Sequence, residues 1–361
     1  MAETASFLVS SNPSPTLPQN ITTIRTIAES PGLTSIPSAY TFTPTPHDQV
    51  VSETQVSLPV IDYSLLTSGT PHQRSKIVHD LGKACQNWGF FLMINHGVPE
   101  SLVRSMIDGC RGFFDLPEEE KEEYRGKHVL DPIRCGTSFN ASVEKVFFWK
   151  DFLKILSHPV FHSPSKPAGF SETSLEYSKR AREVARKLLK GISESLGLEP
   201  NYVEKALNLE QGLQVIAANF YPPCPQPELA MGMPPHSDHG LLTFLIHNGI
   251  SGLQVQHKGK WVNINGIPNS ILVNIGDHLE ILSNGKYRSV LHRAMVNNKA
   301  TRISIAIAHG PSLDTVVSPA PELLEIEKKA AAYIGIKYKE YLEIHQSNKL
   351  DEKCNLDRLR I

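Results

Sequence analysis

The chain of 361 residues carries 36 Lys and Arg against 37 Asp and Glu, a formal net charge of −1. So even a balance leaves no electrostatic footprint for nucleic acid or for an anionic membrane surface. Hydrophobic residues make up 40% and charged residues 20%, enough apolar surface for a sizeable core and too little charge for a disordered chain.

Five cysteines (Cys85, Cys110, Cys135, Cys224, Cys354) are scattered, odd in number and never in a C-x-x-C pair. They read as reduced thiols, which places the chain in the cytoplasm. No stretch approaches the roughly 18 apolar residues of a membrane span, and the start MAETASFLVSSN has no secretion-signal run.

Residues 1–55 are rich in Ser, Thr and Pro and read as an irregular arm, with a short helix near Thr22–Glu29. LPVID (58–62) reads as a strand. Ile77, Leu81, Ala84, Cys85 and Trp88 recur at helical spacing, so 72–88 is an amphipathic helix. GFFLMINHGVP (89–99) is a strand closed by a turn. A helix runs from Pro99 to Phe114, and LPEEEKEEY opens another, acidic where the helix dipole favours it. The stretch 129–170 reads as loop around Phe147, Phe148, Trp149 and Phe152. Tyr177, Ala181, Val184, Leu188 and Ile192 mark a long helix ending at Gly197.

Beyond residue 210 the texture changes to short β-branched runs: LQVIAANFY, LLTFLI, LQVQ, WVNI, ILVNI, SVLHRAMV and RISIAIA. Turn signals such as Asn248-Gly249 and Asn284-Gly285 separate them, a spacing that suggests a jelly-roll barrel. A single C-terminal helical segment is expected over 322–345. Helices precede the strands rather than alternating with them, so the class is mixed α/β of the α+β kind.

His236-Ser237-Asp238 is the sharpest local signal. Side chains two apart on a strand share a face, so His236 and Asp238 can converge on one ion, and His292 in SVLHRAMV can be folded back to join them. H-x-D alone is common by chance. Two imidazoles and one carboxylate are nevertheless the donor set of non-haem Fe(II) oxygenases, which keep positions open for substrates and O2. Zinc hydrolases use similar ligands but need a nearby base, and no H-E-x-x-H pattern is present. His239 and His278 are the nearer rivals, and both are expected to play supporting roles.

Arg302-Ile303-Ser304 sets a guanidinium and a hydroxyl on one strand face, a clamp for a carboxylate through paired charge-assisted hydrogen bonds. Asn219 and Tyr221, again two apart, offer an amide and a phenol to the same anion. An ordinary surface salt bridge is the plain alternative for Arg302 taken alone. The ordered set N-x-Y, H-x-D, H, R-x-S outweighs it.

With those residues in hand, the segment 211–311 resembles the catalytic core of the plant 2-oxoglutarate- and Fe(II)-dependent dioxygenases, the isopenicillin N synthase-like superfamily. The matching stretches are NFYPPCPQPELAMGMPPHSDHGLLTFL, GLQVQHKGKWVNI, ILVNIGDHLEILSNGKYRSVLHRA and RISIAIAHGPS. LPVIDYSLL, ACQNWGFFLMINHGVP and FFDLPEEEK are similar to that family's helical N-terminal part, so the likeness spans roughly 55–345. AHGPSLDTVVSPAPEL looks most like the flavanone-hydroxylase-like and downy-mildew-resistance-like members.

The resemblance implies a double-stranded β-helix core at 206–312, a helical N-terminal region at 56–205 and a C-terminal helical segment or lid at 313–361. It implies iron on His236, Asp238 and His292, and 2-oxoglutarate on Arg302, Ser304, Tyr221 and Asn219, with O2 as oxidant and ascorbate as activator. The expected reaction is hydroxylation of a C–H bond in a small, mostly apolar metabolite or hormone, with release of succinate and CO2. Desaturation, demethylation and ring closure remain open, as do an ascorbate-dependent iron oxidase and a catalytically silent binding module.

Phe139, Phe147, Phe148, Phe152 and Leu313 are the candidate substrate wall, with ordinary core packing as the rival account of the same aromatics. No basic cluster was legible beside them. The chain is expected to act as a monomer without a nucleic-acid or membrane partner.

Overall fold

The computed structural model describes residues 23–43, 57–126, 128–138, 144–347 and 354–361. A short helix α1 (Ile24–Ala28) starts under a Thr23 cap. Strand β1 (Val60–Asp62) runs into α2 (Tyr63–Ser68), where the Asp62 carboxylate accepts from Ser64 N. Thr70 and Gln73 form a reciprocal capping box for α3 (Pro71–Asn87), with Pro71 in the first turn where its missing N–H costs nothing. Strand β2 (Phe90–Ile94) leads to α4 (Glu100–Phe114) and the short α5 (Glu118–Lys121). The expected third acidic helix is thus one turn, continued as a 3-10 turn over Glu122–Tyr124.

The stretch expected to be loop instead supplies two strands, β3 (Ile133–Thr137) and β4 (Asp151–His158), paired antiparallel. Their alternation was hidden because Lys154 within β4 and Lys150 just before it flank Phe152 on the face turned away from Leu153 and Ile155 of the main core. Helix α6 (Phe170–Ser195) presents Tyr177, Ala181, Val184, Leu188 and Ile192 as a continuous buried stripe, and α7 (Tyr202–Ala206) follows.

All seven expected strands of the second half are present: β5 (Gln214–Tyr221), β7 (Leu242–His247), β8 (Leu253–His257), β9 (Lys260–Asn263), β10 (Ile271–Ile275), β11 (His292–Ala294) and β12 (Arg302–His309). Between β5 and β7 lies β6 (Met233–His236), and helix α8 (Asp277–Leu282) follows β10. The single C-terminal helix is in fact two, α9 (Pro321–Glu327) and α10 (Tyr338–Ser347), before a last turn α11 (Cys354–Asp357). Lys328 turns left-handed (φ 53°) at the end of α9, and Ile336 is taken into a two-stranded pair, β13 (Val316–Val317) with β14 (Ile336–Lys337). Extended pairing there wins over helix propensity.

The large sheet has the order β1-β2-β10-β7-β12-β5-β4-β3, and the small one β6-β11-β8-β9. On the outer face of the large sheet Phe91, Ile155, Ile216, Phe244, Val273 and Ile307 pack with α3, α4 and α6 in the main core. A fully buried side chain such as Phe244 contributes about 1.5–3 kcal/mol there. Inner-face residues Phe90, Leu92 and Leu272 of the large sheet meet Leu253 and Val255 of the small one. The two sheets are therefore faced layers of a jelly roll, and the space between them holds the polar residues described next.

Candidate metal centre and co-substrate pocket

His236 ends β6 and His292 begins β11, and the two are register partners across the ladder. Their ring centroids lie 4.2 Å apart. Strand β6 stops at His236, so the expected H-x-D strand geometry does not hold. Asp238 reaches the histidines through the turn that follows. Gly240 makes that turn possible: its φ is +84°, and an added Cβ would lie 2.9 Å from the carbonyl of His309. The start of α8 then grips the turn, Asp277 N donating to Asp238 O (2.8 Å) and His278 N to Gly240 O (2.9 Å).

The result is a compact triad. Asp238 Oδ1 is 3.7 Å from His236 Nε2 and 3.6 Å from His292 Nε2, and one donor atom from each residue lies within 4.8 Å of the others. It is the one such His/Cys/Asp/Glu group among the described residues. Each imidazole is oriented by its other nitrogen: His236 Nδ1 is 2.8 Å from Pro234 O and His292 Nδ1 3.2 Å from Val290 O. Donation from Nδ1–H leaves both Nε2 lone pairs facing inward, as metal-binding histidines require.

Electrostatics agree. Burial, then His292, push His236 down to about 3. For Asp238 burial alone would raise the carboxyl, but His292, His236 and the amide of Asn274 pull it below the usual range. A neutral His236 imidazole beside an ionised Asp238 carboxylate suits a divalent cation. The donor set fits ferrous iron, with neither thiolate nor base in the triad to suggest structural or hydrolytic zinc.

Arg302 and Tyr221 are register partners across β12 and β5, as are Ser304 and Asn219. Arg302 is 3% exposed, and its Nε and Nη1 have no hydrogen-bond partner among the described residues. The guanidinium carbon lies 5.2 Å from the Tyr221 ring centre. Burial lowers the Arg302 pKa, and Tyr221 opposes that. A buried guanidinium with idle donors is costly unless a ligand anion meets it. The far carboxylate of 2-oxoglutarate is a bidentate match.

His239 and His278 stand outside the ligand cluster. His239 Nδ1 contacts Tyr338 Oη at 2.9 Å, and His278 Nδ1 accepts from Gly240 N. Phe152 is on the inner face opposite Asn219. Phe148 is buried. Phe147 packs edge-on against Tyr40 of the N-terminal segment, 5.8 Å between centroids, and so serves that contact. Leu313 packs against the cluster of Leu213, Tyr338 and Leu342, the last two on α10. Phe139 lies outside the described residues.

Sequence reasoning missed three contributors. Asn274 donates to Asp238 Oδ2 at 2.9 Å. Lys150 and Lys154 join Phe152 in the inner wall, where no basic residue was expected. Their positions four apart around Phe152 were the available signal.

Residues 212–311 match the 2OG-Fe(II) oxygenase superfamily, and residues 58–176 match the non-haem dioxygenase in morphine synthesis N-terminal family. The chain is 46% identical over 305 residues to 2-oxoglutarate-dependent dioxygenase 19 of Oryza sativa subsp. japonica, covering 84% of this chain and 90% of that protein. It is 40% identical to DMR6-LIKE OXYGENASE 2 of Arabidopsis thaliana, covering 90% and 94%. A crystal structure of JOX2 in complex with 2OG, Fe and JA superposes with a TM-score of 0.84 at 29% identity, covering 95% of this chain and 98% of that one. The paired strands, the triad between them and these matches agree: the chain belongs to the 2OG-Fe(II) oxygenase superfamily and is an iron- and 2-oxoglutarate-dependent oxidoreductase.

Proposed function

We propose that this enzyme hydroxylates a C–H bond of a small, mostly apolar plant metabolite, with His236, Asp238 and His292 holding iron and Arg302, Ser304, Tyr221 and Asn219 holding 2-oxoglutarate. One observation carries the assignment. A metal-competent triad and a buried guanidinium with idle donors sit on facing sheets of one barrel.

Bound iron supplies O2 activation coupled to oxidative decarboxylation of the keto acid to succinate and CO2. The chain's own residues do the rest. Arg302 neutralises and orients the far carboxylate, with Ser304 and Tyr221 beside it. Nδ1 contacts to Pro234 O and Val290 O fix the imidazole planes. Phe148 and Phe152 exclude water from the face on which a substrate would lie.

Flavanone 3-dioxygenase 2 of Oryza sativa subsp. japonica, 38% identical and covered to 90%, supports a specialised metabolite as substrate. We further place the enzyme in the cytoplasm as a monomer. No helix among the described residues is long and apolar enough to cross a membrane, four described cysteines are buried and unpaired, and exposed large apolar side chains are spread along the chain. Succinate release stimulated by members of a metabolite panel tests the reaction. Metabolite oxidation without succinate would instead favour an oxidase that does not consume 2-oxoglutarate.

A further inference from the structure

Of the three metal-facing residues, Asp238 alone lies outside a strand, since His236 belongs to β6 and His292 to β11. The histidines are held by a ladder. Asp238 is held only by whatever fixes the turn 237–240, and much of that support comes from the C-terminal helix.

Helix α10 supplies two buried phenols one helical turn apart, Tyr338 and Tyr341. Tyr338 Oη lies 2.9 Å from Nδ1 of His239, the residue after Asp238. Tyr341 Oη donates to Asp277 Oδ2 at 2.6 Å, and the same oxygen accepts from Ser237 Oγ at 3.2 Å. Asp277 N in turn donates to Asp238 O at 2.8 Å. His278 bonds Gly240 through both its backbone N–H and its ring Nδ1. Its ring packs edge-on against Tyr338 and Tyr341, with centroids 4.7 Å and 4.6 Å apart. The first turn of α10 thus reaches all four residues of the metal turn: His239 directly, the others through Asp277 and His278.

Tyr338 has little freedom of its own. It is 0% exposed, its N–H donates to Thr315 O at 3.0 Å, and Lys339 N donates to Leu313 O at 2.9 Å. Gly310, just past β12, makes room for the ring: an added Cβ there would lie 2.6 Å from Tyr338 Cε1. Phenylalanine would fill the same space without burying a hydroxyl, which costs free energy unless it is bonded. Among the described residues the partner of that hydroxyl is the imidazole beside Asp238.

We propose that Tyr338 is a positioning residue for the metal. Its bond to His239 fixes the turn that aims Asp238, so α10 governs how tightly the centre keeps iron. This rests on the iron reading of the triad and extends it to the C-terminal helix.

Anaerobic competition titration with Fe(II) tests it in Tyr338→Phe, which deletes one oxygen and keeps the ring, and in His239→Ala. Each should bind Fe(II) about tenfold more weakly than the unaltered protein. The double variant should bind no more weakly than the worse single one, because both changes break the same bond. Tyr287→Phe is the matched control: its buried hydroxyl pairs with Ser195 Oγ at the end of α6, at 2.7 Å, and its loss should leave iron affinity unchanged. Full iron affinity in Tyr338→Phe would overturn the proposal. So would losses that add in the double variant, or an equal loss in Tyr287→Phe, which would make the effect one of general stability. An unaltered protein without affinity for Fe(II) is a different failure: it removes the iron reading itself.

Discussion

Asn274 on β10 donates its side-chain amide to Asp238 Oδ2 at 2.9 Å, leaving Oδ1 as the oxygen nearer both imidazoles. A strand of the large sheet thereby aims a carboxylate that completes a centre otherwise carried by the small sheet. Hydrogen bonds of this kind to metal ligands are worth about 10–100-fold in metal affinity. Asn274→Ala should weaken Fe(II) binding by about that factor while the protein stays folded. Unchanged iron affinity in a competition titration would show that the amide does not position the ligand.

Arg302→Ala removes the buried guanidinium and not the triad. The loss of one desolvated charged contact should cost on the order of 2–5 kcal/mol in 2-oxoglutarate binding. Iron affinity measured without 2-oxoglutarate should be untouched. Equal losses for both ligands would mean that Arg302 supports the fold rather than the co-substrate.

Gly240→Ala places a Cβ on a left-handed residue, 2.9 Å from the His309 carbonyl. Strain of this kind costs of order 1–3 kcal/mol. Because Gly240 follows Asp238 by two residues, iron loading should fall together with the urea midpoint. Loss of iron at full stability would point to a direct ligand role that the geometry does not give it.

The pH dependence has a definite sign. Burial pushes His278 and His309 down to about 3, so both stay neutral in the fold while the unfolded chain protonates them near 6.5. Between those values the unfolded state binds more protons, and stability falls as pH drops below about 6.5. Iron-free protein should unfold at lower urea at about pH 5 than at about pH 7. A midpoint independent of pH across that range would contradict this burial.

The barrel strands could be read from sequence because β-branched runs stand between turns, as ILVNI and RISIAIA do. The ligand pair and the R-x-S clamp could be read because residue type and spacing alone determine what they can hold. Strand β4 could not be read, since Lys150 and Lys154 on an enclosed face look like solvent-facing charge. Asn274 carries no motif: an amide within an apolar strand shows its purpose only when Asp238 arrives beside it. The C-terminal break at Lys328 was hidden by flanking residues that favour helix, and tertiary pairing of Ile336 decided it.

Anaerobic addition of Fe(II) and then 2-oxoglutarate to the purified protein tests the central claim most directly, because a keto acid chelated at a ferrous centre absorbs in the visible. A metal-to-ligand charge-transfer band should appear in the unaltered protein and be absent from His236→Ala. No band in the unaltered protein, or an equal band in the variant, would mean that His236, Asp238 and His292 do not form the iron site.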